Sequence, residues 1–123
     1  MAQGANQPAP TISTHVLDTE RGAPAVGVAV TLCRLTDDGR PLRLTQALTD
    51  ADGRVRDLLE RPLVVGDYRL EFDVARGGAA AEGADGDGFF RRISLDLRVT
   101  DATRSYHVPL LLAPYSMTIY RGS

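Results

Sequence analysis

The sequence predicts an all-β protein, a sandwich or barrel of about eight short strands with at most one short helix. Apolar residues recur with period two along most of the chain, the spacing of strands with one buried face. Turn-forming clusters of Asp, Gly and Pro separate these runs at short intervals. Only residues 75–88 break the pattern.

The elements follow in chain order. Residues 1–10, rich in Gln, Ala and Pro, read as a disordered lead-in, and residues 11–123 as the folded domain. A first strand is expected over residues 12–18. Residues 28–35 and 42–49 form two more, separated by the turn Asp37-Asp38-Gly39-Arg40-Pro41. Asp50-Ala51-Asp52-Gly53 is another turn, leading into a shorter strand from Arg54. Tyr68, Leu70, Phe72 and Val74 alternate with Arg69, Glu71 and Asp73, and Ile93, Leu95, Leu97 and Val99 alternate with Ser94, Asp96 and Arg98. A last hairpin joins residues 106–112 to 116–120 around Ala113-Pro114-Tyr115. Between residues 77 and 88 lie five glycines, which limit any helix there to one weak turn.

Composition narrows the function. The chain has 123 residues, enough for one core, and a net charge of -2 with both signs dispersed, which suits neither a nucleic-acid surface nor an anionic membrane. No run is long enough to span a bilayer, and the N-terminal residues lack the basic and apolar regions of a secretion signal, so a cytoplasmic protein is expected. All 14 basic residues are arginine, which removes lysine Schiff-base chemistry from consideration. The single cysteine, Cys33, excludes an internal disulfide and reads as a buried thiol within an apolar run.

The two histidines are the informative residues. His15 and His107 both fall mid-strand, where alternation places each on the face opposite its apolar neighbour, Val16 or Val108. Taken alone, they fit histidines on a wet sheet face as well as catalytic ones. A two-histidine metal site is a weak reading, because no acidic residue stands at ligand spacing. Arg54, just after a turn, fits a solvated side chain equally well. The last strand runs close to the final residue, so the terminal Tyr120-Arg121-Gly122-Ser123 is expected to pack against the fold rather than fray. Nucleophile-elbow, phosphate-loop and zinc-helix patterns are absent from the sequence.

Three stretches together resemble the 5-hydroxyisourate hydrolase family, the enzymatic branch of the transthyretin-like proteins. They are Ser13-Thr14-His15-Val16-Leu17-Asp18-Thr19 with Gly22-Ala23-Pro24-Ala25 and Gly27-Val28; Thr49-Asp50-Ala51-Asp52-Gly53-Arg54; and Tyr106-His107-Val108-Pro109-Leu110-Leu111-Leu112-Ala113-Pro114-Tyr115-Ser116, ending in Tyr120-Arg121-Gly122-Ser123. The terminal tetrapeptide is the most specific, since the hormone-carrying relatives lack it. The chain departs from the family pattern at Arg91, where a proline usually follows the Phe-Phe pair, at Ser105, where a histidine is common, and over 77–88, where a short helix is usual.

The resemblance implies a transthyretin-like (prealbumin-like) β-sandwich. It also implies hydrolytic opening of 5-hydroxyisourate to 2-oxo-4-hydroxy-4-carboxy-5-ureidoimidazoline in urate catabolism, with water attacking a ring carbonyl. His15, Arg54, His107 and Ser123 then carry over as catalytic. Tyr120, Arg121 and Gly122 join them in binding substrate. No metal or cofactor is implied. The implied assembly is a homotetramer, a dimer of dimers with active sites between the dimers. A non-enzymatic, transthyretin-type carrier of a small ligand is the competing reading.

Overall fold

The computed structural model describes residues 9–75 and 89–123. The expected lead-in and the weak helical turn fall largely outside those residues. Within them there are nine strands and no helix: β1 (Ile12–Asp18), β2 (Ala23–Pro24), β3 (Ala29–Leu35), β4 (Pro41–Leu48), β5 (Arg54–Val55), β6 (Gly66–Asp73), β7 (Arg92–Val99), β8 (Tyr106–Leu112) and β9 (Met117–Ile119). The strand beyond the expected eight is β2, whose two residues are too few for any periodicity to reveal.

The strands form two sheets. One runs β2-β1-β8-β9, with β5 also paired to β1; the other runs β4-β3-β6-β7. β1 and β8 are parallel, whereas every other pair is antiparallel. β2 and β5 divide one edge of β1 between them: β2 pairs Leu17 and Asp18, and β5 pairs Thr14 and His15.

Alternation assigns each strand an inner and an outer face. Ile12, Val16, Val28, Val30, Leu32, Tyr68, Leu70, Phe72, Val108, Leu110 and Leu112 point between the sheets and are buried. Each such side chain contributes about 1.5–3 kcal/mol relative to exposure. Cys33 is buried at a bulge in β3, where desolvation, followed by the nearby Glu71 carboxylate, pushes its thiol up from the ordinary range. The outer face of the β6–β7 pair is wet, laced by ion pairs from Arg69 to Asp96 (2.7 Å) and from Arg98 to Asp67 (3.0 Å). No helix of the described residues is long and apolar enough to cross a membrane.

A buried hydroxyl joins the loops that precede β3 and β5. Thr49, 4% exposed, accepts the Val28 amide at 2.9 Å and donates to the Ala25 carbonyl at 2.7 Å, while its own backbone exchanges hydrogen bonds with Gly27 and Val28. The Thr49→Val variant keeps the shape and strands two buried polar groups. It should lose about 2 kcal/mol of stability in urea unfolding; an unchanged midpoint would show that the hydroxyl is dispensable.

Candidate active site

Three strands, β1, β5 and β8, and the C-terminal residues beyond β9 converge on the outer face of the β2-β1-β8-β9 sheet. Parallel pairing sets Ser13 beside His107 and His15 beside Pro109. Antiparallel pairing sets His15 beside Arg54. Side chains at paired positions share a face, so Ser13, His15, Arg54, His107 and Pro109 all project the same way, opposite to Thr14, Val16 and Val108. The two histidines and Arg54 are half-buried. A depression of about 230 Å³ is lined by Ser13, Thr14, Arg54, Val55, Arg56 and His107.

The turn before β5 builds one side of this site. Gly53 has φ +77°, and a Cβ there would come within 2.4 Å of the Val16 carbonyl, so only glycine lets the turn approach β1. Its carbonyl accepts the Val16 amide at 2.7 Å. The Asp50 carboxylate accepts the amides of Asp52 (2.8 Å) and Arg54 (3.0 Å), bonds that hold it below the usual carboxylate range. The turn thereby fixes the start of Arg54 and aims the Asp52 carbonyl at His15, whose Nε2 lies 2.9 Å away. A carbonyl only accepts, so His15 carries a proton on Nε2, and in its neutral form keeps a lone pair on Nδ1.

His107 sits differently. Its Nδ1 is 2.8 Å from Ser13 Oγ. Burial lowers its pKa from the ordinary 6.5, and the positive charges of Arg54 and then His15 lower it further. These surroundings therefore favour the neutral form of the His107 imidazole.

The C-terminal residues continue beside β8 past the end of β9. The Tyr120 amide donates to the Pro109 carbonyl (3.3 Å), and the Gly122 amide to the His107 carbonyl (2.7 Å). Gly122 lies hard against the ring: a Cβ there would fall 2.8 Å from His107 Cδ2 and 3.2 Å from Pro109. Tyr120 and Gly122 thus share the histidine face. Arg121, between them, turns the other way, and its guanidinium lies 5.0 Å from the centroid of the Tyr106 ring. There it lines a separate hollow of about 340 Å³ beside Leu95, Leu97, Tyr106 and Ile119. Ser123 is exposed at the chain end, and its backbone oxygen accepts from Arg121 Nε at 3.3 Å.

Of the residues singled out in the sequence, the structure brings together His15, Arg54, His107 and Gly122; Tyr120 is joined by its amide to Pro109 and also lines the hollow beside Arg121. The structure does not bring the Arg121 side chain to the histidine face. Ser13 was not singled out; its position two residues before His15, hence on the same face, was the available signal. Among the described residues, no three His, Cys, Asp or Glu side chains converge as a metal site would require.

Known proteins resemble this chain in sequence and fold. A sequence profile described as the HIUase/Transthyretin family matches residues 12–122. A 5-hydroxyisourate hydrolase of Deinococcus radiodurans is 45% identical over 116 residues, spanning 93% of this chain and 97% of that protein. The solved structure of Klebsiella pneumoniae 5-hydroxyisourate hydrolase matches with a TM-score of 0.77 at 33% identity, covering 93% of this chain and 99% of that one. A transthyretin from Sparus aurata matches with a TM-score of 0.79 at 28% identity, covering 93% and 97%. The chain belongs to the HIUase/Transthyretin family.

Proposed function

We propose that this protein is a 5-hydroxyisourate hydrolase of urate catabolism, working in the cytoplasm through the domain formed by residues 11–123. The observation that carries this reading is the half-buried pair His15 and His107 on one sheet face beside Arg54, with the Gly122 backbone closed against His107. The family relatives named for this activity support it. A carrier of an apolar ligand has no need of a neutral imidazole held beside a guanidinium.

The chemistry follows from the groups present. Neutral His107 takes a proton from water at Nε2 as the water oxygen bonds to a ring carbonyl carbon. Arg54 offers N–H donors to the oxygen on which negative charge develops. The imidazolium then returns its proton to the ring nitrogen as the C–N bond breaks, leaving a carboxylic acid that ionises. His15, anchored through Nε2, presents Nδ1 to accept a substrate N–H. Tyr120 and Ser123 close the C-terminal side of the site. No step calls for a metal or cofactor.

The site is shallow in one chain, and a second copy would roof it. The same face carries Leu17, Pro109 and Leu111, whereas on the other sheet the outer face of the β6–β7 pair is covered by ion pairs. Burying the apolar half of the histidine face between dimers fits a homotetramer, a dimer of dimers with sites in the channel between them.

Three experiments test this reading. Generating 5-hydroxyisourate with urate oxidase and following its ultraviolet decay should show strong acceleration by the protein, lost in a His15→Ala/His107→Ala double variant. No acceleration by the wild type would overturn the assignment. The kcat/KM profile should rise with pH through a limb below 6.5, where His107 loses its proton. Arg54→Ala removes a charge that disfavours the imidazolium, so the limb of its residual activity should move up in pH, and burial should still hold it below 6.5. Gly122→Ala should cut kcat by about tenfold or more, because its methyl displaces the His107 ring or the terminal strand, while the thermal midpoint of this exposed position barely moves; full activity would show that the close approach is not required.

A further inference from the structure

We propose that Ser13 is a positioning residue for His107: its hydroxyl accepts a hydrogen bond from Nδ1–H, so that Nε2 is left as the nitrogen that exchanges a proton with water and substrate. This deepens the hydrolase reading of the site and rests on it.

The geometry is specific. The Cα register of the parallel pair places Ser13 directly beside His107, and Ser13 Oγ lies 2.8 Å from Nδ1 with both residues half-buried. On the other edge of the ring, Cδ2 faces the Gly122 backbone. An imidazole held at Nδ1 on one side and at Cδ2 on the other turns its Cε1–Nε2 end away from the sheet. Neither rotation about the ring bond nor a sideways shift is free, the condition for a reacting nitrogen to be held in place before substrate arrives.

The chemistry of the partner matters as much as its position. His15 bonds a carbonyl, which fixes one N–H permanently. A hydroxyl can donate or accept, so Ser13 does not by itself dictate a tautomer. The bond with Nδ1–H donating is the one that survives the reaction unchanged. Neutral His107 with its lone pair on Nε2 and imidazolium His107 with protons on both nitrogens each donate Nδ1–H to Oγ. The proton then moves only at Nε2, and no hydroxyl reorientation accompanies catalysis. With the hydroxyl donating instead, Nε2 would carry the proton in the neutral ring, and His107 could not act as a base there.

Nitrogen-15 NMR of His107 above its pKa, read together with kinetics, separates these cases. The wild type should show a protonated Nδ1 and an unprotonated Nε2, and Ser13→Ala should shift the ring toward a tautomer mixture. Ser13→Ala should lower kcat by about tenfold to a hundredfold with KM changed less than threefold, and Ser13→Thr, which retains the hydroxyl and suits a strand, should recover most of the loss. A thermal midpoint near that of the wild type for both variants would exclude misfolding as the cause. A wild-type enzyme that turns over substrate while its neutral His107 is protonated on Nε2 overturns the proposal, as does Ser13→Ala with undiminished kcat. A wild type without turnover overturns the hydrolase reading instead, and the tautomer measured in wild type and Ser13→Ala then decides the Ser13–His107 bond alone.

Discussion

The parallel pairing of β1 with β8 is the constraint on which the rest of the sheet depends. It joins the first long strand to one 94 residues later in sequence at Ser13 and His107, so its register is set by the assembled fold rather than by a local turn. A slip of one residue would carry Val16 or Val108 out of the core and a histidine into it. Burial of Ile12, Val16, Val108 and Leu110 enforces the register from inside. So does the buried Thr14 hydroxyl, which donates to the Val108 carbonyl at 2.6 Å. The arrangement of the histidine face is a by-product of those inward contacts: with the core residues seated, Ser13, His15 and His107 have nowhere else to point.

Electrostatics on that face are arranged by backbone as much as by side chains. The described site residues include no carboxylate in a salt bridge with Arg54; Asp50, near it in sequence, accepts the amides of Asp52 and Arg54 on one oxygen, Oδ1. Arg56, by contrast, lies 3.7 Å from Asp52 in an exposed pair of the kind that contributes little to stability. Desolvation, and after it the charge of Arg54, favours the neutral ring of His107. A bare carboxylate beside the imidazole would act in the opposite direction, stabilising the cation and weakening the base.

Much of this was legible in the sequence because strand alternation has an integral period. The parity of His15 against Val16, and of His107 against Val108, placed both histidines outside the core before any partner strand was known. The long strands were found with bounds close to those observed, while β2 was missed, since two residues carry no pattern. Parity along one strand says nothing about which strands are neighbours, however. That His15 stands beside Arg54, or His107 beside Ser13, depends on pairings that cross the whole chain, and only the resemblance to a family suggested that the first two belonged together. Ser13 escaped notice for a physical reason: a serine on the wet face of a strand is ordinary, and only its 2.8 Å approach to a particular ring nitrogen distinguishes it.

The C-terminal tetrapeptide shows the same parity dividing labour within four residues. As a sequence motif it reads as one binding unit, yet its residues face opposite sides of the sheet. Tyr120 and Gly122 share the histidine face, where absence of a side chain at Gly122 is what permits contact with His107. Arg121 reaches back over the ring of Tyr106, whose hydroxyl is itself fixed by the Asp101 amide and carbonyl at 3.0 Å each. A guanidinium over an aromatic face is worth about 0.5–1 kcal/mol at an exposed site, enough to bias a short terminal segment toward its place beside β8. On this geometry the arginine holds the terminal segment from behind, and the glycine leaves room in front for the His107 ring. Both demands, on opposite faces and one residue apart, are met together in this chain.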